Sequence, residues 1–590
     1  MAHEWNFRVW APKATTVSII VDSKTEYPMV KQDGFFSATL QSDAPVDYLY
    51  VIDGEKQRPD PCSSFQPYGV HGPSRTYDHD AFVWEDSDWQ PILKKDYIIY
   101  ELHVGTFTPE GTFDAIIDKL AYLKDLGITS IELMPVIEFP GEHNWGYDGT
   151  YPYAPHHSYG GPDGLKRLIN ASHKMGLAVI IDVVYNHLGP EGNYLADFGY
   201  YFTDRYKTPW GEAVNYDGPY SDYVREYVIN NALYWVEHFH VDALRLDAIH
   251  AIFDQSAKHI LQELKETFEK RQIKSYLFVE SDLNDTRVLT DYALDAQWSD
   301  GFHHAIHALI TGDYHSYFQD FGSIGDLAKA YTTGFVYDGK YSRFRKKKFG
   351  SSSAACLGDQ FIVNLQNHDQ IGNGSRGRRI HTLMTKEQYR LATMLLFFSP
   401  YIPLLFMGQE WAASTPFFYF TSFEDADLVR NIYQAYVKEH HAEQLDFDTF
   451  NSQTQEAFFA SKINWKELHE PWAQEIHSFY RELIQLRKET PCLSNCSKEQ
   501  TKTWFDEENK WLIVMRTDDK TSSKAVLVAN FSPNEQIIPL PSQVQGKWLL
   551  HGQGGITLDK NVHTNGYTAL LFWRRPHSAC KNLLSFLKEW

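Results

Sequence analysis

Cysteine is scarce in this chain. Its 590 residues include five, Cys62, Cys356, Cys492, Cys496 and Cys580. An odd number at irregular spacing argues against a disulfide framework. Cys492 and Cys496 lack the second Cys/His pair that a zinc site requires. Reduced thiols in a cytoplasmic protein fit that pattern better. Positive charge is also short, with 55 Lys and Arg against 76 Asp and Glu and a formal net charge of −21. Nucleic acid and anionic membranes select basic surfaces, so neither is expected as a main partner. The opening residues Met1-Ala2-His3-Glu4-Trp5 show no basic stretch followed by an apolar one, so no signal peptide is expected. Long apolar runs are missing as well. The nearest, 391–407, is interrupted by Ser399, Pro400 and Pro403, and it falls short of the ~20 apolar residues of a membrane span. It reads as a buried helix followed by a buried strand.

What is present in quantity is aromatic. Aromatics are 15% of the chain and apolar residues 43%, too many for general disorder. Flat rings serve either as core or as surfaces that stack on sugars. The length allows about four domains, or fewer if one is a large barrel.

The hydrophobic period divides the chain in three. Residues 1–92 read as a small β-sandwich, with strands near 7–10, 16–21, 35–40 and 48–52 and a turn at Asp53-Gly54. Residues 84–91 read as a linker. From 93 to 490 the pattern becomes strand, loop, helix, repeated. Candidate strands lie at 98–103, 130–134, 178–184, 243–247, 276–280, 296–298, 361–365 and 403–407. Helices at 116–126, 164–175, 221–239, 255–270 and 388–398 separate several of them. Short apolar strands alternating with helices predict a parallel sheet covered on both faces, and their number favours a closed (β/α)8 barrel. The loops after the third, sixth and eighth strands are long enough to be insertions. Residues 491–590 return to β, with strands near 511–517, 525–531, 548–550 and 568–573 and a short helix at 576–590.

Barrel enzymes place their reactive groups at the C-terminal ends of the strands. The third strand ends Asp182-Val183-Val184-Tyr185-Asn186-His187 and the fourth Arg245-Leu246-Asp247. The fifth ends Glu280-Ser281-Asp282 and the seventh Asn367-His368-Asp369-Gln370. Asp247, Glu280 and Asp369 thus face one mouth, joined by Arg245, His187 and His368. A structural salt-bridge cluster would explain any one of them, but not all at one mouth, because buried charge is costly unless paired or used. Cleaving an acetal needs a proton donor at the leaving oxygen and a carboxylate on the other side of the anomeric carbon. Arg245 would hold Asp247 ionised, and acidic neighbours would raise the pKa of Glu280.

These four ordered stretches, each at a predicted strand end, resemble the signature regions of the α-amylase family of glycoside hydrolases. The resemblance implies Asp247 as nucleophile, Glu280 as general acid/base and Asp369 as transition-state stabiliser, with no cofactor and no metal. It implies His187, Arg245 and His368 around the cleaved sugar, and Tyr147 of Trp145-Gly146-Tyr147-Asp148 stacked beneath it, with Trp145 and Phe302 beside it. Phe7-Arg8-Val9-Trp10-Ala11-Pro12 resembles the N-terminal sandwich of the family's branching, debranching and trehalose-releasing members. The runs Phe65 to Ser74, Asn186 to Tyr194, Glu280 to Asp285, Phe302 to His307 and Phe406 to Trp411 resemble the trehalose-releasing members in particular. That implies cleavage of the α-1,4 bond beside the terminal trehalose of a malto-oligosaccharide. His250, Asp300, His303, His304, Gln370 and Asn373 are the candidates for holding substrate. The sequence departs from the family at Gly301, usually acidic, and at Gln409-Glu410, usually Glu-Glu.

Other readings compete. His303 and His307 share a helix face and could bind zinc, but no Glu stands between them in a metalloprotease pattern. A branching enzyme would use the same three carboxylates. A non-catalytic glucan-binding protein would be expected to lack one of them.

Overall fold

The computed structural model describes residues 3–440, 453–550, 555–558 and 560–574. Cys580 and the helix expected at 576–590 lie outside them. Strand His3–Trp10 alternates exposed and buried, turning Trp5, Phe7 and Val9 inward. It pairs antiparallel with Phe35–Ser42, which pairs in turn with Val30–Gln32. The facing sheet runs Thr25–Pro28, Val17–Val21, Asp47–Ile52, Lys56–Arg58. Period-two burial on both sheets is what makes a sandwich rather than a single ribbon.

Eight parallel strands close into a barrel in chain order. They are Ile99–Leu102 (β1), Ser130–Leu133 (β2), Ala178–Val183 (β3), Ala243–Leu246 (β4), Tyr276–Val279 (β5), Ala296–Trp298 (β6), Phe361–Asn364 (β7) and Ile402–Phe406 (β8), with β8 hydrogen-bonded back to β1. Helices such as Gly161–Lys174, Ser221–Phe239 and Lys386–Phe398 follow strands and cover the outside. The helix expected at 116–126 is two pieces, Phe113–Ile117 and Leu120–Leu126. The second ends at Gly127, whose φ is +102°. A Cβ there would sit 2.6 Å from Ile484, so only glycine fits both the turn and the packing.

The barrel interior is graded. Ile99, Ile180, Ala243, Phe278, Ala296, Ile362 and Leu404 form an apolar layer, closed from below by Trp89, Ile92 and Tyr276. Two residues further along five of these strands, on the same face by the strand period, stand Glu101, Asp182, Arg245, Glu280 and Asn364. The charged mouth and the dry floor are thus successive layers of the same strands. Residues 84–91 contain no helix or strand. They run as a strap beneath the floor, where the Trp89 indole lies flat on His173 at 4.5 Å and donates to Asp242 Oδ1 at 2.7 Å.

Insertions follow the third and sixth strands, as expected. The one after β3 carries the hairpin Phe202–Thr208/Gly211–Val214, and the one after β6 carries helix Ile324–Thr333 and the hairpin Asp338–Ser342/Lys347–Gly350. Beyond helix Pro471–Glu489 a six-stranded sheet runs Thr501–Asp506, Trp511–Asp518, Ser523–Asn530, Thr568–Arg574, Gly546–Leu550, Gly555–Leu558. Cys62, Cys356, Cys492 and Cys496 are free thiols.

Candidate active site

Arg245 organises the mouth. It is fully buried, with its guanidinium 4.3 Å above the Trp298 ring. Nη1 donates to Asp182 Oδ2 at 2.7 Å and to Asp247 Oδ1 at 2.8 Å, and Nη2 lies 3.6 Å from Glu280 Oε2. One cation therefore meets three carboxylates from β3, the end of β4 and the end of β5. The second oxygen of Asp247 accepts from Asn186 Nδ2 at 2.9 Å, and Glu280 Oε2 accepts from the Ala248 backbone N–H at 2.7 Å. Asn186 Oδ1 in turn accepts from His187 Nδ1. Burial holds His187 uncharged, with its pKa lowered to about 4.

A second chain of contacts starts at Tyr147. Its hydroxyl donates to Asp182 Oδ2 at 2.7 Å and accepts from His368 Nε2 at 2.8 Å. His368 Nδ1 donates to Glu101 Oε1 at 2.5 Å. Burial opposes the charge on His368, but Asp369 and Glu101 outweigh it and lift its pKa to about 9. The imidazole is thus a cation at neutral pH, donating from both nitrogens. Asp369 lies 3.5 Å from His368 Nε2 and accepts from Asn373 Nδ2 at 3.0 Å. Its side chain is 45% exposed, the most open of the three predicted catalytic carboxylates. Gln370 Nε2 reaches Asp300 Oδ1 at 3.4 Å.

Three acids here carry raised pKa values. Burial pushes Glu280 up to about 8; Arg245 opposes this, while Asp247, Asp369 and Asp300 add to it. Burial puts Asp182 at about 7 despite Arg245, and puts Asp300 at about 7 with help from Asp369. Deeper down, Glu132 on β2 is fully buried, and no hydrogen bond reaches either of its oxygens among the described residues. Burial, then the charge of Glu101, holds it uncharged.

The structure joins Tyr147, His187, Arg245, Asp247, Glu280, His368, Asp369 and Asn373 into one contact network, with Gln370 and Asp300 paired beside it. His250 is next to it, its Nδ1 accepting from the Asp282 backbone at 3.3 Å. Asp282 itself is held by Arg345 Nη1 at 2.7 Å, from the β6 hairpin. His303 and His304 stand apart. His304 lies 4.3 Å from the Tyr317 ring, and His303 is buried 5.4 Å from His307. Phe302 is not beside a sugar. Its ring is fully buried against Tyr331, because two helical steps turn it roughly 200° away from Asp300. Trp145 is also buried and braces His368 at 5.4 Å from below. Gly301 sits inside the helix Asp300–Thr311, and a Cβ there would meet Val336 at 3.4 Å. Glu410 is buried and accepts from Tyr100 and Tyr122, both at 2.9 Å. Residue-by-residue reading passed over Glu101, Glu132 and Trp210. The first two are polar residues within buried strands, a legible signal. Trp210 gives none: it arrives at the tip of the β3 hairpin to lie on His187, 4.4 Å away and 11° from parallel.

Comparison with known proteins gives the family. Residues 74–210 and 214–496 match the family described as alpha amylase, catalytic domain. Residues 1–68 match carbohydrate-binding module 48, the isoamylase N-terminal domain. A malto-oligosyltrehalose trehalohydrolase of Saccharolobus solfataricus is 44% identical over 90% of this chain and 95% of its own. A 1,4-alpha-glucan branching enzyme of Pseudoalteromonas atlantica is 25% identical over 89% of this chain and 72% of its own. The crystal structure of a candidate α-amylase from Salmonella typhimurium superposes with a TM-score of 0.88 at 34% identity, covering 97% of this chain and 99% of that one.

Proposed function

This chain belongs to the α-amylase family of glycoside hydrolases, among the malto-oligosyltrehalose trehalohydrolases, and we infer that it cleaves the α-1,4 bond next to the terminal trehalose of maltooligosyl trehalose. The products are free trehalose and a shorter malto-oligosaccharide. The observation that carries the reaction is Arg245 gripping Asp247 beside an acid, Glu280, held protonated up to about pH 8. Asp247 attacks the anomeric carbon while Glu280 gives its proton to the departing glycosidic oxygen. Trehalose leaves and a glycosyl–Asp247 ester remains. Glu280, now a carboxylate, takes a proton from water as that water attacks the same carbon. The ester breaks and both residues return to their starting states. In this reading Asp369 steadies the charge that develops on the sugar ring, and Tyr147 supports the ring face. His187, Arg245, His250, Asp300, His368, Gln370 and Asn373 hold substrate, while His303 and His304, standing apart, belong to the helix that carries Asp300.

The branching reaction would use the same trio, with a glucan hydroxyl in place of water. Identity favours hydrolysis: 44% to a named trehalohydrolase against 25% to a branching enzyme. The deciding experiment is product analysis on maltotriosyl trehalose and on amylose. Free trehalose is expected from the first. Branched glucan from the second, with no trehalose from the first, would overturn the reading. We place the enzyme in the cytoplasm, where buried thiols such as Cys356, Cys492 and Cys496 stay reduced. A neutral oligosaccharide suits a chain of net charge −21, which disfavours nucleic acid and membrane surfaces.

A further inference from the structure

The base of the β3 hairpin carries a feature that the reaction does not use. Tyr200 precedes the hairpin and Tyr220 follows it. Their rings lie 4.5 Å apart and 11° from parallel, and they are 37% and 54% exposed. Aromatic pairs favour offset-stacked or edge-to-face arrangements, and here the backbone holds the near-parallel one in place. Here the holder is Asn215, 2% exposed, whose Nδ2 donates to the carbonyls of Tyr200 (2.9 Å) and Pro219 (3.0 Å). The same side chain's Oδ1 accepts from Gly218 N–H at 2.9 Å. One buried amide thus fixes the backbone beneath both rings.

Two further observations point outward. Tyr220 has φ +65°. For a bulky residue this left-handed backbone is a strained state, tolerated where something else requires it. It starts the helix Ser221–Phe239 without making a side-chain cap, so helix capping does not explain the tyrosine. The far side of Tyr200 is occupied: the Lys13 ammonium sits 4.7 Å over that ring and donates to Ala196 O at 3.1 Å. The order is therefore Lys13, Tyr200, Tyr220, solvent, and the free face is that of Tyr220. Neither phenol hydroxyl hydrogen-bonds a described residue. The platform is braced on the sandwich side as well. Trp10 of the sandwich packs under Gly199, where a Cβ would come within 2.6 Å of the indole.

We propose that the Tyr200–Tyr220 stack is a surface binding site for α-1,4-glucan chains, separate from the mouth. A sugar ring packs its C–H face on Tyr220, and its hydroxyls meet the two phenols. The hairpin then links two aromatic positions, the stack at its base and Trp210 at its tip on His187. The proposal rests on the α-glucan substrate inferred above.

The test is migration of the full-length protein through native gels containing amylopectin, with hydroxyethyl cellulose as the β-linked control, for wild type, Tyr220→Ala and Tyr220→Gly. Loss of one aromatic stack should weaken amylopectin retention about twofold to tenfold, with no retention by the β-glucan in any form. Activity on maltotriosyl trehalose should stay within about twofold, because the short substrate occupies only the mouth. Tyr220→Gly should also raise the melting temperature, since glycine adopts the left-handed backbone without strain. Unchanged amylopectin retention in Tyr220→Gly would overturn the proposal and reduce Tyr220 to a helix-start residue. Absent activity on maltotriosyl trehalose in the wild type would instead overturn the functional reading.

Discussion

The two ends of the barrel handle buried charge in opposite ways. At the floor His173 is fully buried between Asp86 (2.8 Å) and Asp242 (2.9 Å). Burial opposes its charge, but Asp242 and Asp86 outweigh it and raise the pKa. At Asp86 burial is in turn outweighed by His240 and His173, which lower its pKa. Every charge there has an opposite partner. At the mouth one arginine meets three carboxylates, and Asp182, Glu280 and Asp300 are pushed up to about 7, 8 and 7. Folding alone would select the floor's arrangement. Crowded acids persist at the mouth because chemistry needs a proton donor and a carboxylate side by side, which is why perturbed acids mark working sites.

The largest break in that comparison should come from removing the charges that react. Asp247→Asn should lower kcat by about 10³-fold or more while keeping the native circular dichroism spectrum. Initial rates of trehalose release measure it; a loss under tenfold would remove Asp247 from the nucleophile's place. Glu280→Gln should separate activity from stability. The raised pKa of Glu280 means that its stabilising protonated form is fully present below about 4.5 and is lost as pH rises through about 8. The amide should therefore raise the melting temperature more at pH 9 than at pH 5, and abolish most activity at both. In the unsubstituted enzyme the same sign makes kcat/KM fall as pH rises through about 8. Asp300→Asn removes one of the charges lifting Glu280, so this limb should move to lower pH.

The floor should respond in the opposite sense. His173→Gln breaks a buried pair and should cost about 3 kcal/mol of stability, read by urea denaturation, with kcat within about twofold of the parent. The clamp's pH window follows from its two shifts. The His173 contribution is fully present below pH 6.5 and is lost as pH rises through its raised pKa. The Asp86 contribution is present above 3.8 and is lost as pH falls through its lowered one. The penalty of the substitution should thus be greatest between those limits. A loss of activity without loss of stability would show that floor and mouth are coupled.

What could be read in the sequence follows the same division. The mouth was legible because each reactive residue ends an apolar strand, and the strand period carries Asp182, Arg245 and Glu280 inward together. The barrel strands were placed to within a residue or so, since buried parallel strands are continuous apolar runs. The floor was not legible. His173 lies 87 residues from Asp86 and 69 from Asp242, and only closure of the barrel brings them together. Residues 84–91 looked like a linker because a strap that pairs through side chains has no period. Edge strands such as Lys56–Arg58 and Gln536–Pro539 escaped notice because they are short and mostly exposed. The motif puts Phe302 beside the sugar, but helical phase turns it away from the site and onto Tyr331.

Trp210 offers the smallest effect and the finest distinction. It belongs to the mouth, yet it carries no charge. Its ring, 45% exposed, lies parallel to His187 at 4.4 Å. His187 spends Nδ1 on Asn186, and the indole extends its ring as a flat wall at the mouth. A parallel aromatic contact is worth about 0.5–1.5 kcal/mol, or about twofold to tenfold in binding. Trp210→Ala should therefore raise KM within that range and leave kcat nearly unchanged, and Trp210→Phe should restore most of the loss. Stability should barely move, since an exposed ring leaves no buried polar group unpaired when removed. Initial-rate kinetics on maltotriosyl trehalose decide it. A fall in kcat at constant KM would mean that the indole sets the orientation of His187, and that even the uncharged part of the mouth acts on the reacting bond.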